Sequence, residues 1–358
     1  MAPQFYELKV KKITRETDEA ISITFIVPDD LKEIFEYKHG QYLTIKAPVG
    51  NKDNRRAYSI SSSPAADEDI TVTVKRVDEG TVSRYLNDEL KEGMFLEVMP
   101  PFGRFTIELD PSLKREFVLI GGGSGITPLM SILKTVLDKE PGSTISLIYA
   151  NRNLEAVIFR SQLAGLQEKY PGRLKVINVL SRPENGWEGR SGRLNAQRIK
   201  ELINEYCVRD SSTEYFLCGP PGMMVEAENA LIALNVDFSR VHKESFTAPL
   251  PDELDEKAAG SEDLEIKQQK VRIILYGEEH EVVVEPDETI LTAAMREGFD
   301  PPFSCQIGAC STCRAMLKSG KVHMDEREAL TDNEMKEGYI LSCQAHPLTS
   351  DCVVDYDE

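Results

Sequence analysis

The chain has 358 residues, enough for two or three domains with separate cores, and its composition is that of a water-soluble globular protein. Its net charge of −18 argues against nucleic acid as a partner, because phosphate binding needs a basic surface. No apolar run is long enough to span a membrane, and the N-terminus lacks the basic and apolar segments of a signal peptide. Because the cysteines are also odd in number, we expect a cytoplasmic protein with free thiols and no membrane segment.

The negative charge is concentrated in the last third of the chain. Residues 247–358 carry 25 acidic and 10 basic side chains, a net charge of −15, which leaves −3 for residues 1–246. Two interpretations remain open: a surface that keeps the protein in solution, or a surface that docks a basic protein partner.

Residues 1–110 are predicted to form a small antiparallel β-barrel. Apolar and polar residues alternate in short runs that Gly, Pro and Asn separate. Six or so short strands with few helices are typical of such barrels. The runs are Tyr6–Ile13, Ala20–Val27, Gln41–Ile45, Ile70–Val77 and Phe95–Met99.

Two motifs in this region predict a flavin site. Arg56, Tyr58 and Ser59 lie at the predicted end of a loop, where they offer a guanidinium for phosphate, a ring for the isoalloxazine and a hydroxyl for N5. The segment Gly80-Thr81-Val82-Ser83 is predicted to begin a short helix, whose free N–H groups suit a diphosphate. Each motif alone is weakly specific, but the two in this order favour a flavin.

Residues 111–246 are predicted to form a parallel α/β sheet with helices on both faces. Near-continuous apolar strands alternate with helical segments, which is typical of that architecture. The predicted strands are Phe117–Ile120, Ile145–Ala150, Leu174–Leu180 and Tyr215–Cys218. The predicted helices are Pro128–Leu137, Arg160–Lys169, Asn195–Glu205 and Gly222–Leu234.

A glycine-rich turn after the first of these strands predicts a pyridine nucleotide site. Its residues are Gly121, Gly122, Gly123, Gly125 and Thr127. Glycines between a strand and a helix let the backbone approach a diphosphate, and the threonine adds a hydroxyl donor. A purely structural turn is the alternative.

A second motif, Cys218-Gly219-Pro220, ends the last predicted strand. Ligands of open α/β sheets bind at this edge, so Cys218 is a candidate neighbour of the nicotinamide; a buried packing cysteine is the alternative. Ser181 and Arg182 follow the third strand, where no acidic residue is present to bind a ribose hydroxyl. They favour a 2′-phosphate and hence NADPH over NADH, unless they only begin a solvated loop.

Glu244 and Phe246 end the α/β segment. An acidic and an aromatic side chain returning at the domain edge would flank the flavin, with Glu244 near the position of hydride transfer and Phe246 over the ring. The alternative is a surface charge and an ordinary core residue.

Residues 247–269 are predicted to be an acidic linker, and residues 270–358 a third domain. Cys305, Cys310, Cys313 and Cys343 have the C-x4-C-x2-C…C spacing of a plant-type [2Fe–2S] cluster. A zinc site would normally show two paired C-x2-C knuckles, and here there is one. The four cysteines are therefore predicted to bind the cluster.

In their order these motifs resemble the ferredoxin–NADP reductase superfamily joined to a plant-type ferredoxin domain, over nearly all of the chain except the linker. The domain order is similar to that of reductase components of multicomponent oxygenases, in particular of phenylacetyl-CoA epoxidases and ketosteroid hydroxylases. The resemblance implies FAD rather than FMN, a β-grasp fold for the third domain, and a di-iron or Rieske oxygenase as the electron acceptor.

The motifs together predict an oxidoreductase that passes electrons from NAD(P)H through a flavin to a [2Fe–2S] cluster and then to an oxygenase component. By this interpretation Ser59, Cys218 and Glu244 act at the site of hydride transfer. The competing hypothesis is a redox sensor that holds the same cofactors without turnover. Intact flavin and phosphate motifs favour the enzyme.

Overall fold

The computed structural model describes residues 4–49, 54–78, 80–246, 266–327, 329–330 and 332–358. Its contacts divide the chain into two compact units. One unit comprises residues 6–54 and 58–244, and the other contains, of the described residues, 4–5, 55–57, 245–246 and 266 onward. Most of the predicted linker, residues 247–265, lies outside the described residues. Among the described residues no helix combines the length and apolar character needed to cross a bilayer.

The N-terminal segment forms a six-stranded sheet in the order β4-β3-β6-β1-β2-β5. Its strands are β1 (Tyr6–Thr17), β2 (Ala20–Ile26), β3 (Tyr42–Ala47), β4 (Asn54–Ser59), β5 (Thr71–Lys75) and β6 (Phe95–Val98). The pairings β1–β2, β1–β6, β2–β5 and β3–β6 are all antiparallel. Leu8, Ile21, Ile23, Leu43 and Val72 are among the buried residues that alternate along these strands and fill one core. The predicted antiparallel barrel fold is confirmed.

One local prediction for this segment is wrong. Arg56, Tyr58 and Ser59 were expected to end a loop, but they lie in strand β4. This strand is at the edge of the sheet, so half of its backbone is not covered by a neighbour and polar residues are tolerated along it. Its sequence, Asn-Arg-Arg-Ala-Tyr-Ser, therefore lacks the apolar alternation by which strands are predicted.

The second segment is a six-stranded parallel sheet in the order β10-β9-β8-β7-β11-β12. Its strands are β7 (Glu116–Gly122), β8 (Thr144–Asn151), β9 (Leu174–Leu180), β10 (Arg190–Ser191), β11 (Glu214–Cys218) and β12 (Val241–Glu244). Helix α1 (Thr81–Asp88) precedes the sheet in the chain, and α2 (Ile126–Lys139), α3 (Arg160–Lys169), α4 (Ala196–Tyr206) and α5 (Pro221–Ala233) connect its strands. Strands β10 and β12 were not predicted, because they have only two and four residues and lie at the two edges.

Alternate residues of the central strand β7 enter two separate cores. Phe117 and Leu119 pack with α2 and α3 residues such as Leu129 and Leu163. Val118 and Ile120 face the other side, where they pack with α4 and α5 residues. Helices thus cover both faces of the sheet, as the near-continuous apolar strands predicted.

The C-terminal segment has a five-stranded mixed sheet in the order β14-β13-β19-β15-β17 and a small sheet of β16 and β18. Its strands are β13 (Gln269–Leu275), β14 (Glu278–Val284), β15 (Arg314–Ser319), β16 (Val322–Met324), β17 (Tyr339–Leu341), β18 (Ala345–Pro347) and β19 (Val353–Asp355). Its helices are α6 (Ile290–Arg296) and α7 (Asp332–Glu337). Strands β13 and β14 form an antiparallel hairpin, and Thr289 caps α6 by accepting a hydrogen bond from the Thr292 N–H at 3.2 Å.

Candidate functional site

The cysteine-rich loop follows α6 and curls tightly between Phe303 and Cys313. Gln306 and Gly308 have positive φ angles of 59° and 73°, which turn the chain back on itself. Three backbone N–H groups point at sulfur atoms as a result. Cys305 donates to Cys310 Sγ at 3.4 Å, and Ile307 and Cys310 donate to Cys305 Sγ at 3.5 and 3.3 Å. The loop thus presents N–H donors to its own thiols, which stabilises thiolates.

The four thiols form two pairs. Hydrogen bonding to the Cys305 thiol lowers the pKa of Cys310 to about 6, and the same contact raises the pKa of Cys305. Likewise, hydrogen bonding between Cys313 and Cys343 lowers the pKa of Cys343 and raises that of Cys313. One thiol of each pair is thus prepared to ionise and to bind a metal.

Cys343 is brought to the loop by strand β17. Ser342, which directly follows that strand, donates twice to the carbonyl oxygen of Cys313, from its backbone N–H at 3.1 Å and from its hydroxyl at 2.9 Å. Cys313 and Cys343 are 30 positions apart in the sequence, and the two hydrogen bonds from Ser342 hold their segments together.

This donor set fits a [2Fe–2S] cluster. Such a cluster takes four cysteine thiolates, two on each of its two irons, and the loop together with Cys343 offers two pairs. No set of three or more His, Cys, Asp or Glu side chains in the described part of the chain is arranged around a single metal ion. Pairs of thiols with N–H groups directed at them are the arrangement that a sulfur-bridged cluster needs.

The three residues expected at the site of hydride transfer lie together. Ser59, at the end of β4, is 4% exposed, and its hydroxyl donates to Glu244 Oε2 at 3.1 Å. Glu244 ends β12 and stands directly opposite Cys218 of β11 in the parallel register. Cys218 is fully buried, and this burial, followed by the nearby Glu244 carboxylate, raises the pKa of its thiol well above the usual value. Cys218 is therefore a neutral thiol beside an acidic side chain.

Helix α1 begins at the second flavin motif. Gly80 precedes the helix in an extended conformation, and Val82 and Ser83 are buried in its first turn. The Ser83 hydroxyl accepts from the Val77 N–H at 3.1 Å and donates to the Gly80 carbonyl at 3.4 Å, so it holds the turn before the helix. Thr81 is exposed beside the first helical N–H groups. This end of the helix is suited to an anion through its backbone donors rather than through Ser83.

The glycine-rich turn and the Cys218-Gly219-Pro220 motif are packed against each other, backbone on backbone. A Cβ atom on Gly125 would lie 2.0 Å from the carbonyl oxygen of Cys218, and one on Gly219 would lie 3.0 Å from the Gly122 nitrogen. Gly123 has a positive φ of 53°, and its carbonyl accepts a hydrogen bond from the Tyr149 hydroxyl at 2.9 Å. Glycine is therefore required at these positions by contacts within the protein itself.

Two further features belong to this turn. The Thr127 hydroxyl donates to the Ser124 carbonyl at 2.9 Å, so its hydrogen is used inside the turn. Gly121 and Gly122 continue strand β7, and side chains there would meet Leu129 and Met223 at 2.9 and 2.7 Å.

Ser181 and Arg182 lie just beyond β9, at the same edge of the sheet. Their N–H groups donate to the carbonyls of Asn151 and Arg152 at 2.9 and 2.7 Å, so the backbone is ordered while the Arg182 side chain is exposed. Arg190, a further cation near this loop, is paired with Glu205 and also donates to the Tyr206 hydroxyl at 2.9 Å. Arg182 is thus better placed than Arg190 to meet an anionic ligand.

Comparison with known proteins identifies each segment. Residues 7–107 match the oxidoreductase FAD-binding domain, residues 119–229 the oxidoreductase NAD-binding domain and residues 273–348 the 2Fe-2S iron-sulfur cluster binding domain. The chain is 39% identical over 354 residues to a subunit of 1,2-phenylacetyl-CoA epoxidase from Escherichia coli, covering 99% of this chain and 98% of that protein. The chain belongs to the family of oxygenase reductases that carry FAD and a [2Fe–2S] cluster.

A second relative of this reductase is the ferredoxin reductase component of 3-ketosteroid-9-alpha-monooxygenase from Rhodococcus rhodochrous, at 36% identity over 98% of this chain and 96% of that protein. The fold of the reductase matches that of phthalate dioxygenase reductase with a TM-score of 0.62, over 99% of this chain and all of that chain, at 22% identity. The predicted family, fold class, enzyme class and cofactors FAD, NAD(P)H and [2Fe–2S] are confirmed, and the sensor hypothesis is disfavoured.

Two predicted flavin residues of the reductase have exposed side chains. Arg56 is exposed, and its Nη1 donates to the carbonyl oxygen of its neighbour Arg55 at 2.6 Å. Phe246 is 37% exposed two residues beyond β12, so it is not the core residue that one interpretation allowed. Tyr58, by contrast, is partly buried against the barrel core. The ligand-binding roles of all three stay predictions.

Sequence reasoning missed two residues that shape the sites of the reductase. Tyr149 holds the carbonyl of Gly123, and its position in the apolar strand β8 gave no sign of this. Arg55 was passed over in favour of its neighbour, yet its side chain is only 4% exposed. A buried arginine is rare without a specific partner, but burial is not visible in a single sequence.

Proposed function

We propose that this reductase uses Ser59, Cys218 and Glu244 to position a nicotinamide against its flavin, and that Cys305, Cys310, Cys313 and Cys343 bind its cluster. One observation supports the roles of Ser59, Cys218 and Glu244. The Ser59 hydroxyl donates a hydrogen bond to Glu244, which lies opposite Cys218 in the sheet. It joins the flavin motif to the edge where parallel sheets bind nucleotides. When bound, FAD and the cluster supply the redox chemistry by which the two electrons of a hydride are passed singly to an oxygenase.

The residues have distinct tasks in this scheme. The flavin diphosphate would be held by Arg56 and by the backbone N–H groups of Gly80-Thr81-Val82-Ser83. The nucleotide diphosphate would be held by Thr127 and by the backbone N–H groups of Gly121, Gly122, Gly123 and Gly125. Tyr58 would lie against one face of a bound flavin, and Phe246 would cover the ring in the absence of nicotinamide. Cys218, Gly219 and Pro220 border the nicotinamide. Because the Cys218 thiol is neutral, it adds no charge next to the reacting ring.

Anaerobic addition of NADPH tests the whole scheme. We expect the absorbance of the flavin and of the cluster to bleach within one turnover, because the protein contains every step from nucleotide to cluster. Bleaching of the flavin alone would contradict the cluster assignment, and bleaching of neither would contradict the nucleotide and flavin sites. Iron and acid-labile sulfide analysis on the same sample measures cluster content directly.

We expect Ser59→Ala to slow flavin reduction by NADPH about tenfold, the kinetic equivalent of roughly one hydrogen bond. The hydroxyl is predicted to orient both the flavin N5 edge and the Glu244 carboxylate, to which it donates at 3.1 Å. Stopped-flow absorbance of the flavin measures this rate.

The matched control for that variant is Ser61→Ala. The Ser61 hydroxyl bonds Thr73 at 2.8 Å inside the barrel and is equally buried, so its loss reports on barrel stability alone. Non-additive rates in the Ser59→Ala and Glu244→Gln double variant would show that the two side chains act together. Equal slowing by Ser59→Ala and Ser61→Ala would contradict a specific role for Ser59.

We also propose that the reductase prefers NADPH, with Ser181 and Arg182 binding the 2′-phosphate. Arg182→Ala is expected to raise the KM for NADPH about tenfold while changing that for NADH little, since a charge-assisted bond contributes roughly 1.5–3 kcal/mol. The exposed side chain of Arg182 at the nucleotide edge supports this role. Steady-state kinetics with both nucleotides measure the two KM values.

Arg209→Ala is the control for Arg182→Ala. Arg209 is also exposed but precedes β11, at the opposite edge of the parallel sheet. It should leave both KM values unchanged. An equal rise in the KM for NADPH and NADH in the Arg182 variant would remove the 2′-phosphate role.

For the electron acceptor we propose the oxygenase of a phenylacetyl-CoA epoxidase, on the strength of the 39% identity to one of the subunits of such an enzyme. A ketosteroid hydroxylase is the second candidate, given 36% identity to that reductase component. Reconstitution of the reductase with each purified oxygenase and NADPH distinguishes them by which substrate is oxidised. The acidic C-terminal third would dock a basic face of the acceptor.

A further inference from the structure

Arg55 is a buried cation next to the segment that leads into the cysteine-rich loop. Its Nη2 donates to Asp300 Oδ1 at 2.9 Å, and its guanidinium carbon lies 4.3 Å from the centre of the Phe303 ring. Phe5 contacts the same guanidinium at 4.9 Å. All four residues belong to the same compact unit. Asp300 and Phe303 closely precede Cys305, so Arg55 contacts the start of the cluster loop at two points.

Phe303 contacts Arg55 and shares a buried core with two of the cysteines. The Phe303 side chain is 1% exposed and belongs to one buried apolar group with Cys313 and Cys343. A single aromatic side chain therefore contacts the guanidinium and shares a core with one thiol pair. Stacking of arginine on an aromatic face holds both groups in a defined orientation.

Asp300 is held from its other side as well. Its carbonyl oxygen accepts a hydrogen bond from the Tyr276 hydroxyl. Tyr276 is in turn fixed by its backbone N–H, which donates to Asp357 Oδ1 at 2.9 Å. The position of the Arg55–Asp300 pair relative to the loop is thus determined by the hairpin turn and by the C-terminal segment.

The two charges of this pair are not equally exposed to water. The Arg55 side chain is 4% exposed, and that of Asp300 is 53% exposed. Water screens the carboxylate much more than the guanidinium, so the field of the pair does not cancel at the buried thiols. Arginine stays charged at every physiological pH, so Arg55 contributes a positive potential at the start of the loop that does not vary with pH.

We propose that Arg55 is a positioning residue for the cluster loop whose fixed positive charge raises the reduction potential of the cluster. This inference rests on the proposed cluster ligands. Reduction adds one electron, and hence one negative charge, to the cluster, with reduced flavin as the donor. A nearby buried cation stabilises that added charge, so Arg55 makes the step from flavin to cluster more favourable.

A redox titration of the purified holoprotein, followed by the EPR signal of the reduced cluster, tests the proposal. Arg55→Gln is expected to shift the cluster midpoint potential to more negative values by an amount equal to about a tenfold change in the one-electron equilibrium, or 59 mV. Arg55→Lys keeps the charge and should stay closer to the unmodified protein. Asp300→Asn removes the opposing charge and should shift the potential in the positive direction, by less than the Arg55→Gln shift, because water screens this carboxylate.

The opposite signs separate a charge effect from structural damage, which would shift both variants the same way. Arg272→Gln is the matched control, because the Arg272 side chain is 56% exposed in the same unit and should be screened by water. Shifts of equal sign in Arg55→Gln and Asp300→Asn, or an unchanged potential in Arg55→Gln, would overturn the proposal. If the unmodified protein contains no iron or sulfide, the cluster ligands are wrong, and that result is distinct from an absent shift.

Discussion

The Cys310→Ser variant is expected to reduce cytochrome c only at background rate while its flavin still reduces ferricyanide near the normal rate. Cys310 belongs to one of the two thiol pairs, and hydrogen bonding to the Cys305 thiol lowers its pKa to about 6. Serine keeps the size of the side chain but is a poor ligand for iron. Cys310 does not belong to the unit formed by residues 6–54 and 58–244, so hydride transfer should continue there. Steady-state assays with the two acceptors measure both activities.

The control for Cys310→Ser is Cys352→Ser. Cys352 is also buried in the C-terminal segment, but its thiol donates to the Lys321 carbonyl at 3.3 Å, a bond that a serine hydroxyl can make. Iron and sulfide content should fall in the Cys310 variant and stay normal in this control. Equal loss of both acceptor activities in Cys310→Ser would contradict separate flavin and cluster modules.

Gly125→Ala is expected to slow flavin reduction by NADPH about a hundredfold, since a displacement near 1 Å in a binding site has costs of this order. The new Cβ atom would lie 2.0 Å from the Cys218 carbonyl oxygen and 2.8 Å from the Gly219 nitrogen. Both are backbone atoms and cannot rotate away. The glycine-rich turn must then separate from the motif that borders the nicotinamide. Stopped-flow kinetics at several NADPH concentrations measure binding and reduction separately.

Gly165→Ala controls for the added methyl group. Gly165 lies within α3, and a Cβ atom added there would point into open space among the described residues. Alanine at this position should therefore stabilise the helix by about 0.5–1 kcal/mol and leave the kinetics unchanged. FAD content and thermal unfolding establish that the Gly125 variant is folded. A folded Gly125 variant with normal NADPH kinetics would contradict the packing of the two motifs as the basis of the nucleotide site.

The parts of this protein that follow from local sequence were predictable. The cluster motif places three of its cysteines within nine residues, because one tight loop must carry them. The glycine-rich turn lies between a near-continuous apolar strand and an apolar helical segment, and both are visible in the local sequence. Helix α3 and strand β9 have the predicted bounds.

Edge strands were not predictable in the same way. Strand β4 is polar and β12 has four residues, and each depends on a neighbour distant in sequence. A strand at the edge of a sheet buries too little apolar surface to leave a regular pattern. These two strands nevertheless position Ser59 and Glu244, so the sequence singled out two residues that the fold brings together but not the elements that hold them.

Residue types and spacings predicted a flavin, a pyridine nucleotide and a [2Fe–2S] cluster in this order, since each motif apart from the distant Cys343 is a run of near neighbours in the chain. The choice of FAD over FMN came from the resemblance to a known family. The pairing of Glu244 with Ser59, its position opposite Cys218, and the burial of Arg55 beside Phe303 became visible in the folded protein. Each of these joins residues that are far apart in sequence, and their free energies depend on distance and on exclusion of water. Neither quantity can be read from a linear order of amino acids.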